Sequence, residues 1–342
     1  MQRTPVVVLG MHRSGTSAVT RALGLLGLPL GPEEQLQEEW ENEPLLRLNE
    51  RILRRLGGAW GAPPDPPARW WALPEIVELE DPAREALAGA FPTGPFAWKD
   101  PRLCLTLPFW RPLLGGEPVA VMVVRHPLEV AASLERRDGF APERSVALWE
   151  VYQRGAMQNA AGLRAVVVQY ADLLDDPAAG CVELEAALRG LGFEPEGGDA
   201  IAAAGSLEGD RRHHQATGPA PERHLSEEQR ELWRVAQGTG RAHQAFVVPA
   251  LPPLTPESGR IIADLRAGKQ EHRSRRRAVR LAGARLRKLR RAWRGALRKL
   301  GLARGPRRAA EMLGGEGLGG GEAGRENSGA GDDDGGADIV SE

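Results

Sequence analysis

The chain has 342 residues, 42% of them hydrophobic, and a formal net charge of −1, which allows one sizeable α/β domain plus extra segments and excludes a uniformly cationic surface. Charge is unevenly placed: residues 259–308 hold 19 Lys/Arg against Asp264 and Glu271, residues 309–342 hold nine acids against Arg325, and the first 258 residues are acidic in balance. Only Cys104 and Cys181 are present, no disulfide framework is expected, and no signal-type leader or run of about 18 apolar residues occurs, so the expected compartment is the cytoplasm.

Val6 to Leu9 is an unbroken, β-branched apolar run of the kind that forms a fully buried strand, and Ser17 to Leu23 continues as a helix. The residues between them therefore make a strand-to-helix turn, and such a turn is an anion site. Gly10 and Gly15 let the backbone curl, the first helical amides point into the curl without internal partners, and the helix dipole adds positive potential. Arg13 brings a full charge, with Ser14, Thr16 and Ser17 as hydroxyl donors. The spacing Gly10-x4-Gly15-Thr16-Ser17 nearly matches a P-loop, but Thr16 stands where a nucleotide triphosphatase carries lysine.

Farther along, Gly27 to Pro32 reads as a turn, and Glu33 to Glu43 is an acidic run containing Trp40. Leu45, Leu48, Ile52, Leu53 and Leu56 recur at helical spacing and predict an amphipathic helix over 44–56. Residues 57–75, rich in Gly, Pro and Trp, are either a surface excursion or a lid whose indoles pack on an acceptor. A short strand Phe96-Ala97-Trp98 ends at Lys99-Asp100-Pro101-Arg102. Val119 to Val124 is a strand ending at Arg125-His126-Pro127, with Pro127 opening a helix. A longer helix is expected over 142–163, a strand over 165–170, a turn over 172–177 and a helix through Leu191.

Strands alternating with helices predict parallel pairing with right-handed crossovers, and ligands in such sheets sit beyond the strands' carboxyl ends, where Arg13, Lys99 and Arg125 all fall. Glu208 to His224 reads as a polar surface loop, and Ser226 as the cap of a short helix. The expected organisation is a domain over 1–248, a Pro-rich linker over 249–258, a basic amphipathic helix over 259–308 and a disordered Gly-rich acidic tail over 309–342.

Two motifs together resemble one family. Gly10-Met-His-Arg-Ser-Gly-Thr-Ser17 is similar to the 5′-phosphosulfate-binding loop of the sulfotransferases that use 3′-phosphoadenosine 5′-phosphosulfate (PAPS). Val123-Val-Arg-His-Pro-Leu-Glu-Val-Ala-Ala-Ser133 is similar to that family's 3′-phosphate-binding motif, with Arg125 at a strand end and Ser133 eight residues on. A guanidinium forks onto phosphate oxygens, and a hydroxyl two helical turns along reaches the same group when the helix lies beside the ligand. Lys99-Asp100-Pro101 also resembles a family segment, notably of the tyrosylprotein branch. The likeness covers about residues 4–215.

The resemblance implies a P-loop-like three-layer α/β sandwich with a central parallel sheet, and transfer of a sulfuryl group to a hydroxyl or amine acceptor by in-line displacement. It implies donor binding by Gly10, His12, Arg13, Ser14, Gly15, Thr16, Ser17, Arg125, Ser133 and Arg212, with Arg13 and Lys99 stabilising the transferring group and no metal. Lys99 is alternatively an ion-pair partner of Asp100 or another carboxylate. For the general base the candidates are Glu38, Glu39, Glu41 and Glu43, of which Glu41 best matches the bacterial branch, with His126 an outside candidate. His213 and His214 lack a metal-ligand set and read as surface groups. The family's cytosolic small-molecule closing segment is absent, which favours a carbohydrate or glycolipid acceptor over a small phenol. The basic helix has three readings: a short coiled-coil partner, a cationic face on anionic lipid at the inner membrane surface, or a solvated helix paired with the acidic tail; nucleic acid is the least favoured partner. Two other functions remain open: a nucleotide-dependent kinase, or an inactive PAPS-fold binding module.

Overall fold

The structure, a computed structural model, describes residues 3–193, 197–217 and 225–268, with the side chains of 211–217 left out. Five strands form one sheet in the order β2-β1-β3-β4-β5: β1 (Arg3–Leu9), β2 (Gly94–Lys99), β3 (Val119–Val124), β4 (Arg164–Gln169) and the two-residue β5 (Ala242–His243). The first four are parallel, in registers such as Val8 beside Lys99, Leu9 beside Met122 and Val124 beside Gln169; β5 is antiparallel to β4.

Alternation along the strands explains their unbroken apolar runs. Val7, Leu9, Trp98, Ala120 and Met122 face one core, packed with Leu45, Leu48, Ile52, Leu107, Trp110, Leu148 and Trp149. Val6, Val8, Val121 and Val123 face a second core, packed with Val19, Leu23, Leu184 and Leu188. Helices therefore cover both sheet faces, which makes the three-layer α/β sandwich expected from the sequence. The chain passes from β1 to β2 on one side and returns past β1 to β3 on the other. The crevice beyond β1 and β3 is thus the switch point of the sheet.

Helix α1 (Thr16–Leu25) follows the first loop, and α2 (Glu43–Arg55) begins with Asn42, whose side chain accepts from the Leu45 amide at 3.3 Å. The helix Pro127–Asp138 starts at a proline as expected, and Ser226 forms a full capping box with Gln229. Several expectations need correction. Residues 172–177, read as a turn, contain the end of the helix Tyr170–Asp175 and the start of Pro177–Gly190, because Asp176 caps the Ala179 amide and Pro177 takes the first helical position. Residues 208–217, read as loop, belong to the helix Ala200–Thr217. The helices Glu80–Ala90 and Leu103–Trp110 stand where no helix was expected.

Residues 249–258, expected as a linker, are docked. The buried Glu150 accepts from the Thr255 amide at 2.7 Å and from its hydroxyl at 3.1 Å, and Gln229 holds Ser258 at 3.2 Å. The helical residues 256–268 follow, with Ile262 buried. Most of the basic segment and all of the acidic tail lie outside the described residues. No described helix is long and apolar enough to cross a membrane.

One buried polar network ties α2 to the sheet. Asn49, fully inaccessible, donates to Asp100 at 2.8 Å and accepts from the Thr106 hydroxyl and the Trp110 indole, both at 2.7 Å. Removing the amide leaves the Trp110 indole and one Asp100 oxygen unpaired, while Thr106 keeps the Arg102 carbonyl at 3.0 Å; each buried polar group left unpaired costs about 1–3 kcal/mol. Asn49→Ala is expected to lower unfolding free energy by about 3 kcal/mol in a urea titration; a loss below about 1 kcal/mol would mean that water replaces the amide.

Candidate functional site

The loop after β1 is held open by its backbone. The Ser14 amide donates to the Met11 carbonyl at 3.0 Å, Arg13 takes φ 68° and Gly15 takes φ 89°, after which α1 begins at Thr16. At Gly15 the left-handed conformation is one requirement and space is another: a Cβ there would lie 2.2 Å from the Tyr170 ring. Beneath the loop, the Gly10 amide donates to the Cys104 sulfur at 3.1 Å, and burial pushes that thiol up to about 12. The first-turn amides of α1 and the N-terminal end of its dipole face the crevice.

Four strand ends deliver side chains to this point. His12 and Arg13 follow β1, Lys99 ends β2, Arg125 follows β3 and Tyr170 follows β4, and all of them line one cleft of about 120 Å³ together with Glu41 and Ser133. Arg13 Nε donates to Ser133 Oγ at 3.0 Å, and Arg125 donates to the Arg13 carbonyl at 3.0 Å, while its Nε pairs with Glu129 at 3.0 Å and its guanidinium lies 5.0 Å from the Tyr170 ring centre. The two arginines singled out by motif are therefore direct neighbours. The sequence grouped Arg13 with Lys99; in the structure its guanidinium bonds to Ser133, on the Arg125 side of the cleft.

Deeper in, Lys99 Nζ meets Glu41 Oε1 at 3.0 Å, and both side chains are buried. Asp100 does not bind Lys99: it accepts from Arg102 at 3.0 Å and from Asn49. The ion-pair alternative for Lys99 is thus met by Glu41, which also lies 3.4 Å from Arg102. Burial, then the charge of Asp100, push the Glu41 carboxyl above its usual range, against the pull of Lys99 and Arg102. Burial works against the Arg102 cation, but Asp100 and Glu41 outweigh it and hold its pKa above the ordinary value. Arg13 goes the other way. Burial, then the charges of Arg137 and Arg125, depress it.

Among the predicted residues, His12, Arg13, Gly15, Thr16 and Ser17 line the cleft with Glu41, Lys99, Arg125 and Ser133, while Gly10 and the buried Ser14 shape the loop behind it. Glu39 also lines the cleft, and its carbonyl accepts from the Ser17 hydroxyl at 3.1 Å. His126 caps the helix Pro127–Asp138 through Nδ1 and packs on Trp233, away from the cleft. The side chains of Arg212, His213 and His214 lie outside the described residues, although their backbone is helical. Sequence reasoning missed Arg137, Tyr170 and Asp210. Arg137 lies one helical turn beyond Ser133 and Tyr170 directly follows a strand, so the rules used for Arg125 and Ser133 reach both; Asp210, paired with Arg21 at 2.7 Å, sits in the stretch mistaken for loop.

No family model matches the sequence, and no curated protein matches it. Among solved structures, the chain is similar to the sulfotransferase domain from the Synechococcus PCC 7002 olefin synthase, at 18% identity and a TM-score of 0.35, covering 77% of this chain and 94% of that one. It is similar also to the sulfotransferase domain from the curacin biosynthetic pathway, at 17% identity and a TM-score of 0.36, covering 78% and 98%.

His12 gives the cleft a pH signature. Its ring lies 4.5 Å from Trp60 and 5.9 Å from Tyr152, and its Nε2 is buried with no hydrogen-bond partner. Burial, then Arg102, Arg137, Lys99 and Arg13, hold its pKa well below 6.5. As pH drops below 6.5 the unfolded chain binds a proton that the folded chain refuses, so stability decreases as pH decreases. The expected slope from His12 approaches about 1.4 kcal/mol per pH unit below pH 6.5. Urea titrations between pH 7 and 5 check this: His12→Gln is expected to flatten the dependence, and an unchanged slope would show that other groups carry it.

Proposed function

We propose that the protein transfers a sulfuryl group from PAPS to a hydroxyl or amine acceptor, a carbohydrate or glycolipid. The observation that carries this reading is the convergence of Arg13, Lys99, Arg125 and Ser133, drawn from three strand ends and one helix, in a single cleft of an acidic domain. A donor with phosphate at the 3′ position and phosphosulfate at the 5′ position offers anions at both ends, and the cleft has donor groups for each. Arg125, Ser133 and Arg13 suit the 3′-phosphate, and the loop amides with Thr16 and Ser17 suit the 5′ end. Lysine is missing at Thr16, which disfavours triphosphate chemistry.

In the proposed reaction the acceptor oxygen or nitrogen attacks sulfur, a bond forms to it, and the bond from sulfur to the bridging oxygen of the 5′-phosphate breaks. The electron pair leaves on 3′-phosphoadenosine 5′-phosphate. Lys99 neutralises charge building on the bridging and equatorial oxygens. Glu41 takes the acceptor proton; its upward-shifted carboxyl is a better base than an exposed glutamate, and Lys99 orients it. The cytoplasm, with a peripheral position at the inner membrane surface, is the setting we assign.

Thermal shift with 3′-phosphoadenosine 5′-phosphate, ADP and ATP, each with and without Mg²⁺, tests the donor. Preferential stabilisation by the 3′-phosphorylated ligand is expected, with Arg125→Ala weakening its affinity about tenfold or more. Stabilisation by ATP with Mg²⁺ alone would favour a kinase and defeat the proposal. Glu41→Gln is expected to bind the same ligand within a few-fold of wild type yet lose about 10²-fold or more in transfer; retained transfer would remove Glu41 as the base.

A further inference from the structure

A second concavity runs along the flank of α1. It has a volume of 780 Å³ and lies between Gly24 and Leu25 on the helix and the segment from Leu28 to Trp40 that turns back over it. Leu28 is buried at its base, Leu30 and Leu36 are partly buried, and Leu25 is 38% exposed on its edge. Four leucines thus line one open concavity, a grouped apolar surface and not a singly exposed residue.

The groove is continuous in chain with the donor cleft. Trp40 lines the groove and the next residue, Glu41, lines the cleft; the Ser17–Glu39 hydrogen bond stands at their boundary, and Arg21, on the groove, is paired with Asp210, on the cleft. From Ser17 to Leu25 the helix rises about 12 Å, so one molecule with a polar end at Glu41 and an apolar body of that length spans both. The hairpin that joins the two is fixed, the Trp40 amide donating to the Gln37 carbonyl at 2.9 Å and the Gln37 amide to the Glu41 carbonyl at 3.0 Å.

What lies in the groove is narrowed by chemistry. An extended peptide brings backbone amides and carbonyls that need partners, and the leucines offer none; a saturated chain needs none. Glu33 and Glu38 stand exposed on the rim, and the one cation among the described lining residues, Arg21, is paired with Asp210, so an anionic amphiphile is repelled there. We infer that the groove holds the single aliphatic chain of an uncharged amphiphilic acceptor whose hydroxyl is presented to Glu41. This rests on the proposed sulfuryl transfer and specifies its acceptor as a chain-bearing alcohol, which includes a glycolipid and leaves out a free sugar.

Calorimetric titration of methyl, hexyl, octyl and decyl β-glucosides below their micellar concentrations, on the full chain with and without saturating 3′-phosphoadenosine 5′-phosphate, tests it. Affinity is expected to rise by up to about fourfold per added methylene. Leu25→Glu, an edge substitution outside the donor cleft, is expected to weaken decyl glucoside more than tenfold while leaving the nucleotide's affinity and the thermal midpoint near wild type. Binding independent of chain length, or a Leu25→Glu protein that binds decyl glucoside normally, would overturn the inference. Self-association that Leu25→Glu abolishes would overturn it in favour of a second copy. The nucleotide titration separates the two proposals: failure of 3′-phosphate selectivity with chain dependence intact removes the donor reading, and the reverse removes only the groove.

Discussion

Four cations, Arg13, Lys99, Arg125 and Arg137, line one small cleft, with Arg102 beside its Glu41, in a domain whose overall balance is acidic. Like charges so close together raise the energy of the fold unless anions answer them; Arg13 is depressed first by burial and then by Arg137 and Arg125. Part of the answer is internal. Glu41 and Asp100 balance Lys99 and Arg102 deep in the cleft, and Glu129 balances Arg125. The mouth, where Arg13, Arg125 and Ser133 meet the first turn of α1, is where positive potential is left over for a ligand.

The architecture serves that arrangement at each level. A doubly covered sheet lets the strands be uniformly apolar, which frees their carboxyl ends to carry the polar chemistry. The switch in strand order opens a crevice between β1 and β3, and the left-handed residues at 13 and 15 turn the loop amides into it. Tyr170 then fills the space that only glycine at position 15 leaves, and carries Arg125 on its face. The Asn49 network makes the depth of the cleft rigid by linking α2, which begins just after Glu41, to the residue beside Lys99.

Much of this was legible in the sequence because the signals were local. The strand at Val119 to Val124 was found to the residue, since a β-branched run bounded by Arg-His-Pro has few alternatives, and the convergence of Arg13, Lys99 and Arg125 followed from the rule that ligands sit at strand ends. What escaped depended on partners distant in sequence or on ambiguous local chemistry. The Lys99–Glu41 pair joins residues 58 apart and needs both the register of β2 and the start of α2. Asp172-Leu-Leu-Asp-Asp-Pro177 carries turn residues that here cap and open helices, and Pro108 lies inside the helix Leu103–Trp110, where a proline argues against helix. The proline-rich stretch at 249–258 looked like a linker, and only the buried Glu150, about a hundred residues earlier, reveals why it is docked.

On the proposed donor, the mouth of the cleft recognises a phosphate at one position of the ribose. Calorimetric titration with adenosine 3′,5′-bisphosphate and with its 2′,5′ isomer isolates it, because the two ligands carry the same charge and the same base. The 3′ isomer is expected to bind about tenfold or more tightly, the ratio expected from one charge-assisted hydrogen bond. Equal affinity for the two isomers would contradict it, leaving Arg125 and Ser133 as part of a general cationic surface and not a site.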